Sequence, residues 1–348
     1  MRRPNITQAR LFASLVSELE PRTRRGFMAS VTDLQSNVNW QALLSALEQF
    51  DTDAAIAALN ISPAAWQEYS QTMAAAYAQA GSSTMAYIRQ QGIGGIGVRF
   101  NMGNPRAEQW ILENVANRIV GYNREQVEVA RAVINRGYSA GEGPRTIALD
   151  LAGRVGRGGA REGGVLGLDG PRAERLNIVS QGMRTAEGVQ GLVTKGRNGE
   201  LRLNYKVNPA TGERILSAYR KGEAVPQAQR NLSERQYQNA LLKQRADTIA
   251  QTETAGAVMS SRDEAWTQLA ESEGLDREAV RKTWRHRRGG DGREQHIAMA
   301  GVTVQGLDTP FEMPDGTRML YPHDPAGGAK HNVFCACSAE YSLVREVD

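Results

Sequence analysis

The sequence predicts a mainly α fold with a small α+β lobe at its C-terminal end, and three observations predict it. Apolar residues recur at three- and four-residue spacing through most of the chain, the period of a helix with one buried face. Aromatic residues make up only 6% of the composition, which favours helices over a large β-sandwich. From Trp284 onward Gly289, Gly290, Gly292, Gly301, Gly306 and Gly316 punctuate short apolar pieces such as Val302-Thr303-Val304. Such a stretch predicts turns and short strands. The expected architecture is a set of helical N-terminal arms and a long helix packed on a short-stranded, loop-rich C-terminal module.

Three segments follow from this reading: a helical region over 1–90, a helical core over 98–260 and a Gly-rich lobe over 261–348. In the first, Asn39 caps a helix facing inward through Trp40, Leu43, Leu44 and Leu47, and Asp51 or Asp53 caps the next. Ser62-Pro63 starts another, with Pro at the first helical position, and Trp66, Tyr69, Met73 and Tyr77 form its apolar stripe. The cluster Gly92, Gly94, Gly95 and Gly97 has no β-α surroundings and no Lys-Ser/Thr pair after it, so it reads as a turn and not a phosphate loop.

In the core, Asn104-Pro105 opens a helical hairpin. Ile111, Val115 and Ile119 face inward, Gly121 ends its first helix, and Asn123 caps a second carrying Val127, Ala130, Val133 and Ile134. A helix over Pro144–Leu151, an exposed Gly/Arg loop over 153–169 and a helix over 171–190 with Leu176, Val179 and Met183 follow. Asn198-Gly199 and the alternation Leu201, Leu203, Tyr205, Val207 suggest a short hairpin, with a helix as the other reading. A long helix is expected over Ser233–Met259, then helices near 262–270 and 276–285.

The chain has 348 residues with 41% hydrophobic content, enough for a real core. A net charge of +4 tolerates a nearby nucleic acid without demonstrating one. The arginines of 153–162 are the stretch best placed to touch DNA, though a solvated loop is their default. No apolar run reaches membrane-spanning length, and no apolar region follows Arg2-Arg3, so neither an anchor nor a secretory leader is expected. Cys335 and Cys337 are one residue apart; a disulfide between them would close a strained small ring, so a reducing compartment is expected.

All four histidines and both cysteines lie between His286 and Cys337. A small glycine-rich lobe has little apolar core of its own, and a bound metal can supply the missing folding energy. Cys335-x-Cys337 with His296 and His323 is the candidate ligand set, with His331 a further candidate and Asp324 behind. Thiolate and imidazole together suit a single structural zinc ion. The bland alternative is a reduced, buried pair of cysteines among hydrogen-bonded histidines. A metal-dependent nuclease would draw on His286, Asp291, His296, His323 and Asn332, but no tight β-β-α pattern accompanies them. A Cys/His acyl-transfer site has still less support. In Arg245-Ala246-Asp247-Thr248-Ile249-Ala250-Gln251-Thr252-Glu253, residues Arg245 and Glu253 lie two helical turns apart. Together with Arg293 they read as a polar clamp fixing this helix to the terminal lobe.

That same segment resembles the R-A-x-x-I-A-R-T-E stretch of the phage Mu F-like minor head proteins, a family of phage head morphogenesis proteins. Further pieces are similar to the family's in order and spacing: Lys282-Thr283-Trp284 to K-x-W, and Arg293-Glu294-Gln295-His296 to R-x-x-H, with the Gly301-Val302 turn after it. Phe311, Pro314-Asp315-Gly316 and Tyr321-Pro322 resemble F-x-x-P-x-G and the following Y-P, and Cys335-Ala336-Cys337 stands where the family has N-C-R-C. The match is strongest over 240–340 and softer over 100–190, where Arg99-Phe100, Asn104-Pro105 and the helices after them look similar; 1–90 carry no assignable motif. Gln251 replaces the usual Arg, and Phe334 and Ala336 replace the Asn and Arg around the cysteines.

The resemblance implies a structural protein, not an enzyme, present in few copies inside the capsid at the portal vertex. It would associate with the portal protein and other head proteins, assist head morphogenesis, and in some members travel with the DNA at ejection. It implies assembly in the host cytoplasm, nonspecific contact with packaged DNA, and neither a membrane nor a small-molecule substrate as partner. Some relatives carry toxin domains; only a short tail follows Cys337, so an appended toxin domain is not expected.

Overall fold

A computed structural model describes residues 6–95, 97–156, 158–159, 161–287 and 292–344. The chain begins with α1 (Gln8–Ser36), α2 (Trp40–Glu48) and α3 (Thr52–Ala58), then a 3-10 turn over Pro63–Trp66 that leads into α4 (Gln67–Gln90). The caps are those expected: Asn39 accepts from the Ala42 N–H and Asp51 from the Ala54 N–H. These bonds satisfy amides that the first turn of a helix leaves unpaired.

Next come α5 (Pro105–Trp110), a π-helical turn over Ile111–Ala116, α6 (Asn117–Ser139) and α7 (Pro144–Ala152). The expected hairpin is therefore absent. Gly121 lies inside α6, and Asn123 caps nothing; it accepts a 2.7 Å hydrogen bond from the Trp66 indole. A single glycine costs a helix only about 1 kcal/mol, less than α6 gains by burying Ile119, Tyr122, Val129, Val133 and Ile134.

The Gly/Arg stretch forms a small hairpin, β1 (Arg154–Val155) with β2 (Arg161–Glu162). Its far end is not exposed, as Val165, Leu166 and Leu168 are buried. Gly167, with φ +93°, permits this: a Cβ there would lie 2.5 Å from Val31 Cγ1. The expected 171–190 helix is two, α8 (Gly170–Gly182) and α9 (Ala186–Gly191), because Thr185 caps the second. The short hairpin is β3 (Val193–Lys195) with β4 (Leu201–Leu203), and it excludes the helical reading of that stretch. An unanticipated α10 (Pro209–Lys221), capped by Asn208 and ended by Gly222 in the left-handed region, follows.

α11 (Gln227–Glu273) is one helix of 47 residues, not a helix to 259 followed by another. The segment expected as a helix over 276–285 is a 3-10 turn and then β5 (Val280–Arg285). Its buried residues Val280, Lys282 and Trp284 alternate with exposed or half-buried ones, the period of a strand. The remaining elements are α12 (Glu294–Ala298), β6 (Thr303–Gln305), β7 (Phe311–Glu312), β8 (Arg318–Met319), α13 (Gly328–Asn332) and β9 (Ser338–Leu343). The short strands of this stretch agree with the expectation of a small α+β lobe on a mainly α chain.

These elements form two compact units. One contains residues 1–27, 68–118 and 247–348, the other 28–67 and 119–246. The segment 261–348 lies within the first unit, whereas 1–90 and 98–260 each contribute to both.

The first unit is built on a three-stranded antiparallel sheet, β6-β5-β9. Its core joins Phe12, Leu15 and Leu19 of α1 to Met85 and Ile88 of α4, Val258, Trp266 and Leu269 of α11, and Val280 and Tyr341 of the sheet. Trp266 stacks on Tyr341 with ring centroids 5.7 Å apart. Arg262, 1% exposed, donates to the backbone carbonyls of Gln8 and Ala339 and so joins α11 to α1 and β9.

In the second unit, Gln126 of α6 pins the chain at 167–168. It accepts from the Gly167 N–H and donates to the Leu168 carbonyl, at 2.7 and 2.8 Å.

Candidate metal centre

The register of the sheet brings the centre together. β5 and β9 pair Arg285 with Ser338; one step further along the antiparallel ladder, His286 stands opposite Cys337. His286 Nδ1 is accordingly 3.5 Å from Cys337 Sγ. Phe334, with φ +54°, turns the chain ahead of Cys335. A bulky residue rarely takes that conformation, and the places that do take it cluster at functional sites. The Arg293 guanidinium donates to the Val333 carbonyl and ties down this turn. α12 then presents His296 from the other side.

His296 Nδ1 lies 3.4 Å from Cys335 Sγ and 3.5 Å from Cys337 Sγ. All three residues are buried, and their ligand atoms lie within 4.8 Å of one another. This cluster can hold a metal ion. A tetrahedral ion with sulfur at about 2.3 Å and nitrogen at about 2.0 Å would set its donors about 3.3–3.8 Å apart, and both separations of His296 Nδ1 from the sulfurs fall in that interval.

The thiols behave as a pair. Cys335 is the one that ionises first: the Cys337 thiol hydrogen-bonds to it and holds it far below the usual thiol range, with His323 and His296 assisting. The same bond and burial push Cys337 up. A bound cation would take the place of the shared proton and hold both sulfurs as thiolates.

Behind His296 stands a polar chain. Its Nε2 is 3.1 Å from His331 Nδ1, and His331 Nε2 is 3.1 Å from Asp315 Oδ2. Asp315 is held well below the ordinary carboxylate range, first by its bond with Lys330 and then by the Thr317 N–H. A carboxylate that only accepts fixes the direction of the chain. His331 donates from Nε2, His296 donates from Nε2 to His331, and the lone pair of His296 Nδ1 faces the sulfurs. Around the centre, Trp284, Met299, Phe311, Met313 and Met319 form an apolar shell, with the Trp284 and His296 rings edge to face at 5.8 Å.

Of the residues singled out from the sequence, His296, Cys335 and Cys337 converge. His323 lies beside them but outside the cluster: its Nε2 donates to the Cys337 carbonyl at 3.1 Å, and its buried Nδ1 has no hydrogen-bond partner among the described residues. Asp324 does not back the histidines; it accepts from the Leu320 and Ala326 N–H groups and closes its own turn. Asp291 lies outside the described residues.

The expected clamp divides. Arg293 serves the lobe, whereas Arg245 belongs to the second unit, where it donates to Glu125 at 2.6 Å and to the Gly167 carbonyl at 2.8 Å. Glu253 pairs with Arg118 at 3.3 Å, and burial pushes its carboxyl up. Arg262, absent from the sequence reading, joins the long helix to β9; a positive charge seventeen residues beyond Arg245 carries no signal that it will be buried. His286, drawn from the sequence only for a nuclease, was legible as a neighbour of Cys337 only once the β5–β9 register was known. In the Gly/Arg stretch, Arg161 stacks over the Trp40 ring at 4.4 Å and donates to the Gly153 carbonyl.

Fold and site together define a mainly helical protein whose C-terminal lobe carries a buried Cys/His centre able to hold a metal ion. Comparison with family models, with curated proteins and with solved structures gives no match. No helix among the described residues is long and apolar enough to cross a membrane.

Proposed function

We propose that this chain is a structural minor head protein of a tailed phage. It acts inside the capsid at the portal vertex, bound to the portal protein, and its terminal lobe is held by one zinc ion on His286, His296, Cys335 and Cys337. The observation that carries the reading is convergence: His296 and Cys335-x-Cys337, far apart in the Mu F-like motif order, meet in one buried cluster. Zinc suits two thiolates with two imidazoles. The ion would supply folding energy to a lobe whose strands are only two to six residues long.

Two measurements test it. The purified full chain should contain one zinc per molecule, lost in a Cys335→Ser/Cys337→Ser double variant. It should also co-elute with the portal oligomer encoded in the same genome. Zinc-free protein counts against the staple, and separate elution counts against the portal role.

One observation favours a second reading, a metal-dependent nuclease or toxin-like enzyme. A cleft of about 460 Å³ reaches Cys335 and His286, with Arg285 and Arg287 beside them. Metal-dependent cleavage of DNA, lost in His296→Ala, would replace the structural assignment with that one.

A further inference from the structure

The second unit holds a cleft that the metal chemistry does not touch. It lies among α7, α8 and the first turns of α11 and encloses a cavity of about 70 Å³. Gln238 of α11 lines it at 1% exposure, and neither its Oε1 nor its Nε2 has a hydrogen-bond partner among the described residues. Asn177 Oδ1, on α8, is buried and unpartnered in the same way. Native proteins rarely leave buried amides unpaired, and each such group calls for an explanation. Asp150 of α7 also lines the cavity; burial, then Glu142 and Glu234, pushes its carboxyl up to about 7. Arg136, Arg154 and Arg235 line the cleft too, with Glu162 and with Glu234, which accepts from the Ser180 hydroxyl; none of the three arginines lies within ion-pair distance of a carboxylate among the described residues, although Arg136 opposes the rise of Asp150.

The complement of this lining is specific. Asp150, Asn177 Oδ1 and Gln238 Oε1 are acceptors and ask for a donor-rich group. The three arginines and Gln238 Nε2 are donors and ask for an acid. A lone metal cation would meet the arginines, and a lone anion would meet Asp150, so each half is unfavourable without the other. At 10–15 Å³ per water-sized site, the cavity takes about five to seven heavy atoms, the size of an amino-acid backbone, and its open side leaves room for a side chain.

We propose that this cleft binds a small zwitterion of the α-amino-acid class, its ammonium group against Asp150, Asn177 and Gln238 and its carboxylate against the arginines. The site is independent of the zinc and of the portal role.

Titration calorimetry of the full chain against each of the common α-amino acids tests this, with methylammonium and acetate as the two half-ligands. At least one amino acid should bind saturably, and each half-ligand at least tenfold more weakly. Gln238→Leu should fold as well as the parent and bind at least tenfold more weakly, as should Asp150→Asn. If neither folds, Arg235→Gln, at a partly exposed position, should show the same loss. Absence of binding by every amino acid, a half-ligand that binds as tightly, or folded variants that bind unchanged would each overturn the proposal.

Discussion

The rings of His296 and His331 lie 11° from parallel with centroids 5.4 Å apart, and a 3.1 Å hydrogen bond joins Nε2 of the first to Nδ1 of the second. Through this pair the Asp315 carboxylate decides which nitrogen of His296 is free to face the sulfurs. His331→Ala and Asp315→Asn should therefore leave the four proposed donors in place but weaken zinc binding by about 10–100-fold. Competition against a chromophoric chelator measures this; unchanged affinity in both would show that the chain is only packing.

The two other histidines near the cysteines should separate cleanly. His286 Nδ1 faces Cys337 Sγ, whereas His323 spends its Nε2 on the Cys337 carbonyl. His286→Ala should lower zinc affinity, and His296→Ala should abolish stoichiometric binding. His323→Ala should retain one zinc and lower stability by about 1–3 kcal/mol, since it leaves a buried carbonyl unpaired. Loss of zinc in His323→Ala would return that residue to the ligand set.

Arg245 and Arg262 sit on the same helix and do different work. Arg245, 3% exposed, is bonded within the second unit; Arg262 ties together the first. Each substitution to Ala leaves a buried carbonyl without its donor, Gly167 for Arg245 and Ala339 for Arg262, with an expected cost of about 1–3 kcal/mol. Hydrogen exchange should show Arg245→Ala loosening the 165–168 segment while zinc content is kept. Arg262→Ala should instead loosen α1 and β9. Zinc loss in Arg245→Ala would restore the clamp that the sequence suggested.

These contrasts show what the sequence could and could not reveal. Local signals were legible: Asn39, Asp51 and Asn104-Pro105 each start a helix as read, because a cap bonds only to its own first turn. The approach of His296 to the cysteines was legible as a clustering of residue types. Gly121 misled, since whether a glycine ends a helix depends on what the following turns bury. Residues 276–285 misled because Lys282 stands at a buried position: its ammonium donates to the Leu307 and Leu320 carbonyls inside the lobe, so the alternation reads as polar when it is not. The partners of Arg245 and Arg262 lie far away in sequence, and no spacing rule reaches them.

Asp263 gives a test of burial by pH. Its carboxyl accepts a 2.9 Å bond from the Tyr341 hydroxyl, and burial pushes it up to about 6, with Lys282 opposing. Between the ordinary value of 3.8 and that value, the folded chain holds the proton more tightly than the unfolded chain. Stability must then fall as pH rises through that window and level off above it. Asn keeps the oxygen that Tyr341 donates to and cannot ionise. Asp263→Asn should thus gain on the parent protein between about pH 4 and 6, by at most about 3 kcal/mol, while Asp150, pushed up to about 7, preserves a fall at higher pH in both. Urea unfolding of both proteins across pH 4–8 reads the difference directly. A difference that stays constant with pH would mean that Asp263 is ionised throughout and that Lys282, not burial, sets its charge.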